Sequence, residues 1–488
     1  MSSSSSASRS TTNLSPKISL RTKLTYPFAE IGSQLIWTTV GSYLMLFYTD
    51  VALIAPATAG TILLIARVFD GVQDLGFGYL AERTMTRWGR FRPWIMFGSP
   101  FLTLMMITTF WSPSGAPTAK AWYAAITYII LCFVYTVVIM SYGSLPGVMT
   151  MDSRDRLTLN WLRSLGGGFA QVLLSATTMP LLLTFSHAGA QGYDARGFLI
   201  TMSLFGVIAL PLLIITTVNT KEVIVPAPDR QHIPFGETMR AIFTNRPLLM
   251  LFLTLLLNLT GLFGRLGMLA FYVIYNMGSP AQVAVIFTTF SVCGFIGTAL
   301  FTNLAQRFNK AVVIQGALAT TGLALLGIYL LPEPRLAPVL VLTVVLGLST
   351  FTQPILLSMV PDCVDYYDWK HGVRADGTSY AITSLSTKIA SAFGGAVGLY
   401  IIGWFGYVGG AQQQTAEALN GINLATNLVP SVLAFLAIIP MLFFGLSHEK
   451  MTAISADLET RLSSKTGSIA DETADIAPQT VAPTGDSL

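Results

Sequence analysis

The sequence predicts an all-α membrane protein whose twelve transmembrane helices form two six-helix bundles. Three observations predict it. Hydrophobic residues make up 52% of the 488 and charged residues only 11%, against about 25% charged in a soluble domain. Apolar runs near the ~20 residues that a bilayer requires recur from end to end. A polar connection in the middle divides those runs six and six. A net charge of +4 is too small to imply a nucleic-acid partner. The cysteines, Cys132, Cys293 and Cys363, are far apart, and the histidines, His187, His232, His371 and His448, fall in polar connections. Neither a disulfide framework nor a metal-ligand cluster is expected from that spacing.

In chain order, "MSSSSSASRSTTNLSPK" opens the segment 1–22. It has no apolar core and no adjacent small-residue cleavage site, so it reads as a disordered cytoplasmic tail and not as a signal peptide. The spans are placed at 24–48, 57–82, 94–112, 119–146, 158–184, 197–218, 247–276, 281–305, 311–331, 336–358, 377–405 and 423–446. The N-terminal bundle is therefore 23–220 and the C-terminal bundle 246–446, joined by a central cytoplasmic loop, 221–245. The polar stretch 447–488 reads as a short helix followed by a cytoplasmic tail. With both tails inside, twenty-one of the 28 lysines and arginines fall in inner segments and three, Lys120, Arg196 and Arg335, in outer loops. That asymmetry fixes the orientation. "YLAERTMTRWGRF" after the second span echoes "NLAQRFNKAVV" after the eighth, and "MTMDSRDR" after the fourth echoes "MVPDCVDY" after the tenth. Such pairs are what a duplicated transporter fold leaves behind.

Charged residues inside spans are costly, at least about 2.5–3.5 kcal/mol each, and face a cavity or a partner. At 100° per residue, Asp70 and Asp74 lie within about 60° of Arg67, so all three share one face of the second span, with Gln73 beside them. Other spans carry comparable stripes: Glu30, Gln34 and Trp37; Asn160, Arg163, Gly167 and Gln171; Asn258, Arg265 and Tyr272; Ser384, Lys388, Ser391 and Gly395. Several helices thus present a polar line to one interior. Each stripe also has a structural reading. Arg67 could pair with either aspartate to hold two helices together, Arg163 and Arg265 could neutralise acids, and Trp37 could be plain core or lipid contact. Two acids against one base still leave one carboxylate for another cation, either a metal ion taken up by oxygens or a proton.

"GYLAERTMTRWGR" resembles the signature loop between the second and third helices of the major facilitator superfamily, with Glu82, Arg83, Arg87 and Arg90 at its acidic and basic positions. Further stretches resemble the glycoside–pentoside–hexuronide:cation symporters, the relatives of melibiose permease. They are "LFYTDV", "ARVFDGVQD", "RWGRFRPW", "SYGSLP", "SRDRLTLNWLR", "PDCVDYYDWKHGVRADGTSYA" and "STKIASA". The resemblance covers all twelve spans and leaves out both tails. It implies the major facilitator fold and transport of glycosides, oligosaccharides or uronides with H⁺, Na⁺ or Li⁺. It assigns Asp70, Asp74, Gln73 and Thr136 to cation coupling, Arg163 to the sugar, Lys388 to a place near both sites, and the loop residues to gating.

There are departures. Gln34 stands where melibiose permease has a sugar-binding aspartate, and Ile139 and Gly143 replace an aspartate and a tryptophan. The galactoside pattern is not preserved, and the smaller oxygen set favours H⁺ over Na⁺. The candidate substrate residues are Gln34, Trp37, Arg163, Arg265, Gln353, Thr383, Ser384 and Lys388. The expectation is a sugar importer of a bacterial inner membrane, monomeric among its lipids. It has no cofactor, and no metal beyond Na⁺ at Asp70 and Asp74. The substrate is left open between a neutral and an acidic glycoside. Two rivals are a transporter of the same fold for a non-sugar solute such as a lysolipid and an intramembrane enzyme using the Asp70/Asp74 pair. No span carries a histidine or a nucleophile motif that supports the enzyme, and the short polar tails argue against a sensor.

Overall fold

The computed structural model describes residues 18–187, 192–223, 244–301, 307–372, 376–411, 413–446 and 449–460. Among the described residues, every predicted span falls on a helix. The N-terminal six are α1 (Leu20–Leu46, running on into a π turn, Phe47–Val51), α2 (Pro56–Arg83), α3 (Arg92–Thr109), α4 (Pro117–Met149), α5 (Ser153–Phe185) and α6 (Ala195–Asn219). The C-terminal six are α7 (Arg246–Phe271, with the π turn Tyr272–Asn276), α8 (Gln282–Phe301), α9 (Lys310–Tyr329), α10 (Leu336–Leu348 and, past the 3-10 turn Ser349–Phe351, Thr352–His371), α11 (Asp376–Trp404) and α12 (Ala416–Asn423, the π turn Leu424–Leu428, and Val429–Leu442). By length and apolarity, 9 segments of the described chain qualify as membrane spans. Helix α2 is not among them, because Arg67, Asp70 and Asp74 interrupt its apolar run.

Local sequence explains the boundaries. Proline occupies the first turn of α2, α3, α4 and α7, where its missing N–H costs nothing. Asp152, Asp194, Asn245, Asn309 and Thr415 cap the helices that follow them by accepting a backbone N–H. Gly372 ends α10 in the left-handed region, at φ 68°.

Several predicted limits move. Leu20–Thr22 belong to α1 and not to a tail; α5 begins at Ser153 and α12 at Ala416. Helix α10 continues to His371, so "PDCVDYYDWKH" is helical and not a connection. Its apolar positions Met359, Val360, Cys363 and Val364 are buried, and that face holds the extra turns. Residues 449–460 form the short helix expected after α12. The proposed tail residues 1–17 and 461–488, most of the central loop (224–243), and 302–306 of the eighth span lie outside the described residues.

Within the first half α1 packs on α5 and α6, α3 on α4 and α6, and α2 on α4; within the second, α7 packs on α11 and α12, α8 on α10, and α9 on α12. The halves meet where α2 lies on α11, α5 on α8 and α1 on α7. Gly60 permits the first approach, since a Cβ there would stand 3.2 Å from the Ala396 carbonyl oxygen.

The internal repeat is visible in backbone detail. The π turns closing α1 and α7 occupy 47–51 and 272–276, a constant offset, and each is followed by a residue at positive φ, Leu53 at 57° and Gly278 at 68°. The same offset makes Asp50 the counterpart of Tyr275.

The turn between α2 and α3 is held by a residue far along the chain. The Glu222 carboxylate, just past α6, accepts the backbone N–H groups of Arg90, Phe91 and Arg92 at 2.7, 2.8 and 2.9 Å. It neutralises the N-terminal end of α3. Arg90 Nε donates to the Ala81 carbonyl, and Arg87 is exposed over Trp88. The Glu82 and Arg83 side chains lie outside those described.

Candidate functional site

Asp70, 7% exposed, is the centre of the site. Its Oδ1 accepts the Thr136 hydroxyl of α4 at 2.9 Å and the Gln73 amide at 3.0 Å. Its Oδ2 faces two cations, Arg67 Nη1 at 3.9 Å and Lys388 Nζ at 3.7 Å. Lys388 also donates to the Asp70 backbone carbonyl at 2.9 Å. A lysine of the second half therefore rests on the carboxylate of the first. Asp74 lies one helical turn along α2, and its side chain is outside those described.

With Lys388 delivered by α11, the described carboxylate of Asp70 faces two bases, Arg67 and Lys388, and not the one that α2 alone supplies. A cation placed at Asp70 would meet bases already there. Thr136 and Gln73 are able to turn an oxygen toward such a cation, because a hydroxyl accepts as well as donates and an amide has both kinds of end.

Around Asp70 a cavity of about 500 Å³ opens between the halves, a size typical of ligand pockets. Gln34, Trp37, Thr136, Ser384 and Lys388 line it, together with Arg67, Tyr128 and Gln171. Trp37 carries the Arg67 guanidinium 4.3 Å from its ring centre and stacks on Tyr135 at 4.5 Å. On the first half's wall, Thr38 donates to the side-chain oxygens of Gln34 and Gln171. Leu63, Phe263 and Leu266 form an apolar side.

A second cavity of about 480 Å³ shares Gln34 with the first and holds Glu30, Asn160 and Arg163. Its α5 residues precede Gln171, so it leads toward the end of the bundle where α5 begins and the arginine-rich α2–α3 turn lies. Arg163 Nε pairs with Glu30 Oε2 at 2.7 Å, and Gln34 donates to Glu30 Oε1 at 3.1 Å. Arg163 is thus neutralised within its own half.

The remaining candidates are placed elsewhere. Arg265 and Gln353 line a separate chamber of about 60 Å³ inside the second half. Thr383 accepts the Thr387 hydroxyl on its backbone carbonyl and is not part of the cavity lining.

At the opposite end the halves are joined by a group to which no role was assigned from sequence. Asp50, in the π turn of α1, accepts the hydroxyls of Tyr193 at 2.5 Å, Tyr275 at 2.6 Å, Tyr407 at 2.5 Å and Thr49 at 2.8 Å. Tyr193 belongs to the first half, and Tyr275 and Tyr407 to the second. Burial and then the Asp50 carboxylate push the Tyr407 phenol up, which keeps it protonated as a donor. Thr61 and Tyr400 share a hydrogen bond of 2.8 Å between α2 and α11 at the same end. The signal for Asp50 was the quoted "LFYTDV", but nothing in it shows which partners cross from the other half. Glu30 and Glu222 were likewise visible as acids and invisible as partners.

Residues 25–448 match the family described as MFS/sugar transport protein. The chain is 30% identical to the inner membrane symporter YicJ of Escherichia coli (strain K12), over 90% of this chain and 95% of that one. It is 29% identical to the isoprimeverose transporter of Lactiplantibacillus pentosus, over 90% and 91%. Among solved structures it resembles a D-xylose-proton symporter at 15% identity and a TM-score of 0.59, over 87% and 96% of the two chains. That likeness establishes the fold, and the family match names it as the major facilitator fold.

Proposed function

The chain belongs to the MFS/sugar transport protein family, and we propose that it imports a neutral glycoside or oligosaccharide together with a cation, H⁺ ahead of Na⁺. The observation that carries this reading is Lys388 of one half lying on Asp70 of the other beside a cavity large enough for a sugar. A cation arriving at Asp70 displaces Lys388 and frees an ammonium to donate to sugar hydroxyls. Occupancy of one site then favours occupancy of the other, which is the free-energy coupling that symport requires.

The lysine and arginine asymmetry supports an orientation with the arginine-rich end and both tails on the cytoplasmic side. In that orientation the cavity system leads inward, and the Asp50 cluster and the α2–α11 contact close the outer side. This is an inward-facing conformation of an alternating-access cycle. A neutral substrate is favoured over a uronide because Arg163 is neutralised by Glu30 and Arg265 lies in a different chamber. The amide and hydroxyl ladder of Gln34, Thr38 and Gln171 suits sugar hydroxyls, and the apolar side suits an aglycone or a sugar face. The relative named as an isoprimeverose transporter supports this class. Transport needs no catalytic residue, cofactor or second subunit, and the protein works as a monomer among lipids.

The test is uptake into proteoliposomes under an imposed proton or sodium gradient, across a panel of glycosides. Wild type should accumulate at least one neutral glycoside uphill. Asp70→Asn should lose accumulation while keeping exchange of internal for external sugar. Full uphill accumulation by Asp70→Asn would remove Asp70 from coupling, and accumulation of lysolipids but no sugar would remove the substrate class.

A further inference from the structure

Arg265 sits in the interior of α7 and is 4% exposed. Its Nη1 donates to Asn427 Oδ1 at 2.5 Å and to the Thr426 carbonyl at 3.4 Å. Both acceptors are neutral and belong to the π turn of α12, where the widened helix turn leaves backbone groups free to bond elsewhere. Among the described residues no carboxylate forms an ion pair with this guanidinium. A guanidinium does not give up its proton, and a charge held inside a membrane bundle needs a counter-charge.

The chamber it lines offers room for one. It measures about 60 Å³ and is bordered by Asn258, Thr321, Thr350 and Gln353, with Phe290 and Leu325 on its apolar side. One water needs roughly 10–15 Å³ by this measure, so the space fits a few waters and not a sugar. The amide N–H groups of Asn258 and Gln353 and the Thr321 hydroxyl are donors to an anion, whereas the Thr350 hydroxyl already donates to the Gly347 carbonyl. A single fixed cation and apolar walls match a monovalent ion that sheds water readily, and not a divalent oxyanion with its larger desolvation cost.

We propose that this chamber binds one chloride-sized monovalent anion on Arg265, clamping α7, α10 and α12 together within the second half. The site is distinct from the sugar and coupling cavity, and the proposal does not depend on the substrate.

The experiment is thermal unfolding of the purified full-length protein in sodium chloride and in sodium gluconate at equal ionic strength. The midpoint should rise with chloride to a plateau, as for any ligand that binds only the folded state, and bromide should replace chloride. Arg265→Gln should abolish the rise. Asn258→Leu, which narrows the chamber and keeps the guanidinium, should need several-fold more chloride for half the effect. Lys388→Gln, in the central cavity, should respond as wild type does. Equal midpoints in chloride and gluconate for wild type overturn the proposal. So does a response kept by Arg265→Gln or lost in Lys388→Gln. A rise greater in sulfate than in chloride is a general salt effect and also overturns it. Should neither chamber variant fold, wild-type crystals grown in bromide decide: an anomalous peak beside Arg265 supports the site, and none there refutes it.

Discussion

Removing the two phenols that cross from the second half to Asp50 should open the far end of the transporter. Tyr275→Phe and Tyr407→Phe each delete one hydrogen bond to a carboxylate, 2.6 and 2.5 Å long. A bond to a charged group contributes about 1.5–3 kcal/mol. The cluster lies at the end of the bundle and is only part-buried, so about 1.5 kcal/mol is the reasonable figure. That shifts the closed-to-open equilibrium about tenfold for each variant. The carboxylate keeps Tyr193 and Thr49 as donors, so it is not orphaned and the folded protein should survive. The double variant should fall short of the product, because both bonds share one acceptor.

Opening can be read by alkylation of a cysteine placed behind the cluster. Gly41 lines the central cavity, and a Cβ there meets nothing within 4 Å, so Gly41→Cys fits. Cys132 and Cys363 are buried and silent, and Cys293 is replaced by Ser. A membrane-impermeant maleimide applied from the Asp50 end should label Gly41→Cys about tenfold faster in either phenylalanine variant, and faster still in the double. Unchanged labelling in the double variant would refute the reasoning, because Asp50 would then be joined to the second half without holding it.

Other outcomes follow from the same geometry. Glu30→Ala and Arg163→Ala should each destabilise the first half by about 1–2 kcal/mol, since each leaves a half-buried charge unpaired. The pair of substitutions together should recover part of that loss in a double-mutant thermal-unfolding cycle, and strict additivity would show the pair to be uncoupled. Glu222→Gln should lower the unfolding midpoint by the equivalent of about 1 kcal/mol, because a neutral amide replaces a carboxylate serving three N–H groups at a helix start. An unchanged midpoint would assign the turn's order to other contacts.

Asp194 caps α6. Burial is the largest single influence and raises its carboxyl, but the N–H groups of Gly197 and His187, the His187 ring and the Ser186 hydroxyl together outweigh it and hold the carboxyl at about 2. A lowered folded value means that its contribution is complete above the ordinary carboxyl range and is lost as pH falls from about 4 toward 2. Asp194→Asn should therefore flatten the acid limb of a stability profile between those values. An acid limb identical to that of wild type would show that other carboxylates govern it.

Much of the protein was legible in order of sequence. Most of the helices follow from apolar length, 9 segments of the described chain qualifying on that ground, and the cluster of Arg67, Asp70 and Gln73 on one face follows from helical period alone. These are local properties, fixed by residues within a few turns of each other. Boundaries were less legible where an apolar face continued under polar residues, as in α10 to His371.

What pairs across helices was decided only by the tertiary structure. Lys388 lies 318 positions from Asp70, and no periodicity within either helix says that they touch. Their meeting puts a lysine where the sequence suggested a vacancy for a cation. Arg163 and Arg265 read either as sugar-site residues or as partners of acids, until α1 brought Glu30 against the first and α12 enclosed the second in its own chamber. Asp50 looked like the end of a helix, and the pseudo-symmetry of the halves set it opposite Tyr275. A sequence states which charges a membrane helix carries, but the partners that make those charges tolerable are chosen by how distant helices pack.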